Sequence, residues 1–391
     1  MEGTARKRAR KGKPGVSKSD GATQSVENAL DSSTYLTYDI LRIVFKYLNA
    51  KDLGSSAKVC RSWMEAASNE KRTRGPCCFA QLYTPAYLSS LKNLRIAPSA
   101  GFLFFPKDIT QLAIVSIQES LPEDCQTIML HSQGIVRENK EIEVFSLPII
   151  TCAFLPHVPT VRIKSFKLAE HSNIQQTVEY QKIISTIVNC EISGSTHETS
   201  ACLMLFCNVV GITAAKRWAS AIQKSKESKI VSVWGGVVQT IYAPQAYKAK
   251  RKFGNKLNLV PKMYESDCVA IVITGPVQTW STILERKCNT KERVEERLKL
   301  FKDEVKLKKH SVGFMFACNA RGTEMFDEAH VESTIFKRLF PKVPLVGCFG
   351  YGEFGKTTID EEKSDKEEHK YKKSKSWYNE FSTVFLILTY D

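Results

Sequence analysis

The residues best suited to chemistry lie near the C-terminal end. Gly313-Phe314-Met315-Phe316-Ala317-Cys318-Asn319-Ala320-Arg321-Gly322 reads as an apolar strand ending in a small, polar turn. Downstream, Val343–Gly355 sets Gly347, Gly350, Gly352 and Gly355 among apolar residues. Glycine this frequent in a strand pattern signals a bulge or a close backbone approach. If one helix joins the two runs, Cys318, Asn319 and Arg321 lie beside Gly350, Gly352 and Glu353, beyond the carboxyl ends. Ligands tend to sit at that edge in α/β sheets. The planar fork of Arg321 suits a carboxylate, on a target protein or on a small polar, amino-acid-like ligand. Two plainer readings stay open: Cys318 as a small buried side chain, and Arg321 paired to Glu353. His310 and His330 flank the run, which makes a Cys–His nucleophile conceivable, but no third orienting group is evident. The chain has no P-loop, no dinucleotide fingerprint and no H-E-x-x-H. It reads as non-catalytic, with no cofactor.

The elements that must carry these groups repeat. The run Ala201–Val210 is followed by a helical stretch with Trp218 and Ile222, then Ile230–Val238 and Cys268–Gly275. Ser311–Asn319 is likewise followed by a helix with Ile335, Phe336 and Leu339, then Pro344–Phe354 and Phe381–Thr389. Cys207-Asn208 aligns with Cys318-Asn319, and Trp234-Gly235 with Phe349-Gly350. Both units read as strand–helix–strand–strand, with a right-handed crossover and the last two strands as antiparallel neighbours. Upstream, Gly101–Phe105, Leu112–Ile117, Cys125–His131, Phe145–Phe154 and Thr160–Phe166 read as strands of a mixed sheet. Residues 360–377 carry six acidic and six basic residues between Asp360 and Lys375 and read as a solvated loop.

The N-terminal region differs in texture. Residues 1–30 hold hardly any large apolar groups and are expected to be disordered. From Thr37, Ile40, Val44 and Leu48 recur at four-residue spacing, widened by Ile43 and Tyr47. A turn at Asn49–Lys51 precedes Asp52, the expected N-cap before Leu53, and a third short helix would carry Val59, Cys60 and Trp63. Three short helices cannot enclose a core alone, so this module requires a partner helix or a neighbouring domain.

Over 391 residues, 43% hydrophobic content implies a globular protein with a sizeable core. Of the net charge of +15, a third sits in residues 1–20, where Arg6, Lys7, Arg8, Arg10, Lys11, Lys13 and Lys18 face only Glu2 and Asp20. The remainder is diffuse, which argues against specific nucleic-acid binding. The Arg6–Lys13 cluster is a candidate nuclear import signal or a plain basic tail. The 12 cysteines form no C-x-x-C pair, so no zinc or other metal site is expected, and the thiols point to a reducing compartment, cytoplasmic or nuclear. No signal peptide is read at the start, and the longest apolar stretch, near 201–215, falls short of the roughly 20 residues of a membrane span.

Leu36, Ile40, Val44-Phe45, Leu48, Asp52-Leu53 and Val59-Cys60-Arg61-Ser62-Trp63 together resemble the F-box. The proline usual after the first leucine is Thr37 here. The Cys-x-x-Arg-Gly turn at 318–322 and the Gly-x-Gly-Glu strand at 350–353 resemble the C-terminal part of the FIST domain. The resemblance runs from about Ser33 to the final strand. The fold it implies is mixed α/β: a three-helix F-box at 31–72, then a FIST domain at 73–391. That domain divides into an N-terminal part at about 73–195 and a C-terminal part at about 196–391. The role it implies is the substrate-recognition adaptor of a Skp–cullin–F-box ubiquitin ligase. Leu36, Ile40, Val44, Phe45, Leu48, Leu53, Val59 and Trp63 would then contact the Skp adaptor of a cullin-RING scaffold. Cys318, Asn319, Arg321, Gly350, Gly352 and Glu353 would contact a target or ligand. The alternative it implies is a ligand-sensing FIST module that signals through protein contacts.

Overall fold

The computed structural model describes residues 37–106, 109–143, 148–192, 200–225, 230–244, 263–358 and 376–391. The basic leader, Leu36 and nearly all of the charged insert lie outside these residues.

Three helices come first: α1 (Tyr38–Phe45), α2 (Ala50–Ser56) and α3 (Arg61–Thr73). Asn49, not Asp52, caps α2: its Oδ1 accepts from the Asp52 amide at 2.8 Å, and its Nδ2 donates to Asp52 Oδ2 at 2.9 Å. Asp52 therefore sits within the first turn, where its charge complements the helix N-terminus. Leu41, Phe45, Leu53, Ala66 and Ala67 form a small core of their own, with the Trp63 ring edge-on to Phe45 at 5.4 Å.

The rest is one unit of six strands with intervening helices, run three times. The first unit comprises β1 (Cys77–Leu82), α4 (Pro85–Lys92), β2 (Pro98–Phe105), α5 (Gln111–Glu119), β3 (Gln126–His131), the hairpin β4 (Gly134–Arg137)–β5 (Lys140–Ile142) and β6 (Ile149–Pro156). The second comprises β7 (Arg162–Lys167), α6 (Val178–Ile192), β8 (Ser200–Cys207), α7 (Ile212–Gln223), β9 (Ile230–Val237), the hairpin β10 (Thr240–Pro244)–β11 (Met263–Glu265) and β12 (Cys268–Gly275). The third comprises β13 (Gln278–Leu284), α8 (Lys291–Glu304), β14 (His310–Cys318), α9 (Thr323–Phe326), α10 (Val331–Leu339), β15 (Leu345–Gly350), the hairpin β16 (Glu353–Lys356)–β17 (Tyr378–Asn379) and β18 (Thr383–Tyr390).

In each unit the strand between the two helices (β2, β8 or β14) is central. It pairs parallel to the next strand and antiparallel to the unit's last. The last two strands of a repeat therefore flank the central strand and are not neighbours, which corrects the expected antiparallel pairing. Each hairpin joins another unit's sheet. β4–β5 extends the third sheet beside β15, β10–β11 the first beside β3, and β16–β17 the second beside β9. The exchange is cyclic, and so are the backbone bonds that close it. Gln133 N donates to Phe349 O (3.2 Å), Gln239 N to His131 O (2.9 Å) and Tyr351 N to Val237 O (2.9 Å).

The three sheets turn one face inward. Alternate residues of the central strands meet there: Ala100, Phe102 and Phe104; Cys202, Met204 and Phe206; Val312, Phe314 and Phe316. Trp234 sits among four of these rings and donates its indole N–H to Val384 O. The outer faces carry the helices in three further cores, one per unit. Leu112–Ile117, read as a strand, is helix α5. Its Thr110 cap and the inward positions Ala113, Ile114 and Ile117 set the helical period over a β-branched composition.

Candidate functional site

Two places concentrate the expected functional residues. The first is α1. On this eight-residue helix Leu41 and Phe45 turn inward, while Ile40, Ile43 and Val44 turn outward, as does Tyr47 in the turn just past its end. Tyr47 is 84% exposed and Ile43 58%, and Val59 and Met64 add exposed apolar area from the neighbouring segments. Phe45 and Leu53, expected as partner contacts, are instead fully buried in the internal core. Leu48 and Trp63 are half-buried against that core. Of the expected contacts, Ile40, Val44 and Val59 are presented to solvent. Ile43, Tyr47 and Met64 were absent from the expected contact set although two of them widened the apolar stripe. A helix apolar on several lines does not reveal by period alone which line faces its own neighbours.

The second place is the carboxyl edge of β14 and β15. Arg321 was expected to face outward, yet its side chain is fully buried and its donors are taken. Nε donates to Glu332 Oε1 at 2.9 Å, Nη2 to the same oxygen and to Cys288 O (2.8 Å), and Nη1 to Phe381 O (3.2 Å) and Glu285 O (3.4 Å). Glu332 in turn accepts from Thr383 Oγ1 at 2.6 Å. The partner of Arg321 is therefore Glu332 on α10, and neither an incoming carboxylate nor Glu353. Glu353 is buried as well; its Oε2 accepts from the Ser382 amide (3.1 Å) and hydroxyl (2.7 Å). Burial raises its carboxyl well above the usual range, against the opposing pull of the Ser382 donors and Arg321. The Cys318 thiol beside it is also raised, first by burial and then by the Glu353 charge. A raised thiol is a poor nucleophile. His310 lies at the far end of β14, and His330 Nδ1 accepts from the Glu141 amide at 2.9 Å, so no Cys–His pair forms at Cys318.

Asn319 donates its amide to Gly350 O at 2.8 Å. Gly350 is required by the sheet junction: a Cβ there would lie 2.2 Å from Val237 O. Gly352 packs against the Tyr378 ring in the same way. The edge that was expected to be open is thus filled by its own side chains. What it exposes are Tyr351, whose hydroxyl accepts from Gln133 and Gln239, and Phe381, under the Arg286 guanidinium at 4.7 Å. Neither carried a sequence signal. Among the described residues no cluster of three His, Cys, Asp or Glu side chains is placed to hold a metal ion, and no helix is long and apolar enough to cross a membrane.

Residues 35–74, spanning all three N-terminal helices, match the family model of the F-box domain. Residues 266–356, from the end of the second unit to the β16 hairpin strand, match that of the FIST C domain. The chain carries an F-box and a FIST C region. Over 363 residues it is 23% identical to F-box only protein 22 of Homo sapiens and 22% identical to that of Pongo abelii, covering 81% of this chain and 84% of each relative. Over most of its length the chain is thus similar to F-box only protein 22. A solved cyanuric acid hydrolase from A. caulinodans aligns with 80% of this chain and 98% of its own at 8% identity, but its TM-score of 0.33 carries no argument.

Proposed function

We propose that this chain is the substrate-recognition subunit of a Skp–cullin–F-box ubiquitin ligase. The F-box docks on the Skp adaptor, and the FIST region holds a target protein within reach of the ubiquitin-conjugating enzyme that the complex carries. The chain contributes geometry and local concentration, with no chemical group of its own in the transfer. One observation carries this reading: Ile40, Ile43 and Val44 on α1, with Tyr47 in the turn after it, form an apolar face that nothing in the described chain covers. An amphipathic helix presenting such a face is built to enter a partner's groove. Target contacts are assigned to the outer surface of the carboxyl edge, where Tyr351 and Phe381 are exposed. The reading includes action in both cytoplasm and nucleus, with Arg6–Lys13 directing import. Deleting residues 1–20 should then shift the chain toward the cytoplasm, and an unchanged distribution removes that part.

The test of the docking face is Ile43→Asp with Tyr47→Asp in the full chain. Co-purification with the Skp adaptor should be lost while the melting temperature stays that of the parent, because both side chains are largely exposed. Phe45→Asp is the contrast, since it would bury a charge in the helical core and unfold the module. If the Ile43/Tyr47 variant still binds the adaptor, the face is not the docking surface.

A further inference from the structure

We propose that Arg74 and Arg95 form an orientation lock that fixes the angle of the F-box on the FIST body, so that the adaptor-docking face and the target-bearing surface move as one. The apolar core of the helical module includes no residue of the three-unit body. The seam between them is incompletely filled: a cavity of about 250 Å³ lies there, lined by Leu53, Lys71, Arg74, Arg95, Ile96 and Pro156. Among the described residues no buried apolar cluster spans the seam, which leaves its angle to the hydrogen bonds across it.

Those bonds converge on helix ends. The last carbonyls of α1 lack the amides that a further helical turn would supply, and Phe45 O has only the Leu48 amide at 3.3 Å from its own module's backbone among the described residues. Arg74, at the end of α3 and buried, donates Nη2 to Phe45 O at 2.8 Å. It also donates Nη1 to Arg95 O, in the body segment between α4 and β2. Nε is held by Glu70 Oε1 at 2.9 Å, which aims the guanidinium. Arg95 returns from the body to Lys46 O at 2.6 Å. Both cations sit at the negative end of the α1 dipole, which favours them further. The first amide of α2 completes the seam: Ala50 N donates to Leu94 O of the body at 2.8 Å. Only Arg74, Gly75 and Pro76 join α3 to β1, and a Cβ at Gly75 would lie 2.6 Å from His310 Nδ1, so the covalent link is seated against the body too.

The functional consequence rests on the adaptor reading above, but the lock can be measured without it. An N-terminal helix amide has no acceptor inside its own helix. Protection of the Ala50 amide from hydrogen exchange therefore reports the seam directly. In the full chain, Arg74→Met should speed exchange at Ala50 by about tenfold while Phe316 and Leu386 in the central core keep their rates. Arg95→Ala is the milder variant, removing an exposed side chain that makes one hydrogen bond and a 3.9 Å ion pair to Glu70, and should speed Ala50 by about threefold. Equal acceleration at Ala50, Phe316 and Leu386, or an unchanged Ala50 in both variants, overturns the lock. In the assembled ligase, Arg74→Met should keep the parent's adaptor affinity and lose ubiquitin transfer to a bound target. A parent chain that binds no Skp adaptor, yet shows the Ala50 effect, sinks the proposed function and leaves the lock standing.

Discussion

Arg321→Met separates a structural joint from a recognition site. The substitution keeps the aliphatic length and removes every donor. Glu332, itself fully buried, then loses its charge partner and keeps only the Thr383 hydroxyl. Breaking a buried pair from one side costs about 3–5 kcal/mol, because the remaining charge is left uncompensated. The carbonyls of Cys288, Phe381 and Glu285 also lose a donor, and Phe381 holds a left-handed backbone at φ 57° that its carbonyl bond helps fix. These losses overlap with the charge cost, so about 4 kcal/mol is a working figure. At about 1.5 °C per kcal/mol for a body of this size, the melting temperature should fall by about 6 °C. Calorimetry on the full chain measures this. Arg321→Met with Glu332→Gln should recover part of the loss, since the stranded charge is gone. A variant that melts within about 2 °C of the parent but no longer supports target turnover would refute the reasoning and restore Arg321 as a ligand contact.

Three further outcomes are expected. Glu141 is buried, and burial, then the Glu332 charge, pushes its carboxyl up to about 7. A raised carboxyl favours the folded state fully below the unfolded value near 4.5, and that contribution is lost as pH rises through 7. Glu141→Gln should therefore leave stability at pH 5 nearly unchanged and raise it at pH 8 by at most about 3 kcal/mol, read as melting temperature against pH. An unchanged pH profile would mean that Glu141 does not carry the dependence. In native-state thiol labelling, exposed Cys60 should react rapidly and Cys318 no faster than Cys348; fast Cys318 labelling would mean that the edge opens. A fragment of residues 266–356 should fail to form a soluble monomer, because it lacks β18 between β13 and β14 and the β4–β5 hairpin beside β15. A folded monomeric fragment would show that the exchanged hairpins are dispensable.

The sequence disclosed kinds of elements better than their directions. The helical module was legible because its apolar residues recur at helical spacing, yet the period left open that Phe45 and Leu53 belong inside while Ile43 and Tyr47 belong outside. The repeat in the second half was legible because Cys207-Asn208 and Cys318-Asn319 close equivalent central strands. The first unit carries no such signature. Its central strand ends at Phe105 with no Cys-Asn turn, and its crossover helix α5 is short and β-branched enough to pass for a strand. Which strand of a unit is central is a matter of pairing between distant segments, and no local pattern encodes it. The same limit applies at Arg321. Its link to Glu332 depends on α10 packing across the turn, a long-range contact, whereas the strand pattern sets only Glu353 opposite it.

The hairpin exchange explains why the conspicuous residues of the C-terminal motif turn out to be inward. β4–β5 arrives from the first unit, and its acidic residues finish helices of the third. Glu143 accepts from the Thr323 amide and hydroxyl at α9, and Glu141 from the Ser333 amide at 2.7 Å in α10. Arg321 and Glu332 lie directly behind this joint, and Glu353 begins the hairpin that leaves for the second sheet. Residues that close a ring between units must be specific in type and geometry, just as residues that bind a ligand must be, and both leave a motif of charged and glycine positions in the sequence. Burial distinguishes them, and here Arg321, Glu332 and Glu353 are all fully enclosed. On the proposed reading, contacts with a partner fall on side chains the ring does not consume: Tyr351 and Phe381 on this edge, Ile43 on α1 and Tyr47 just past it. A ring closed by three exchanged hairpins has little freedom to flex between those surfaces, so their relative placement depends on one further joint, the arginine seam at Arg74 and Arg95.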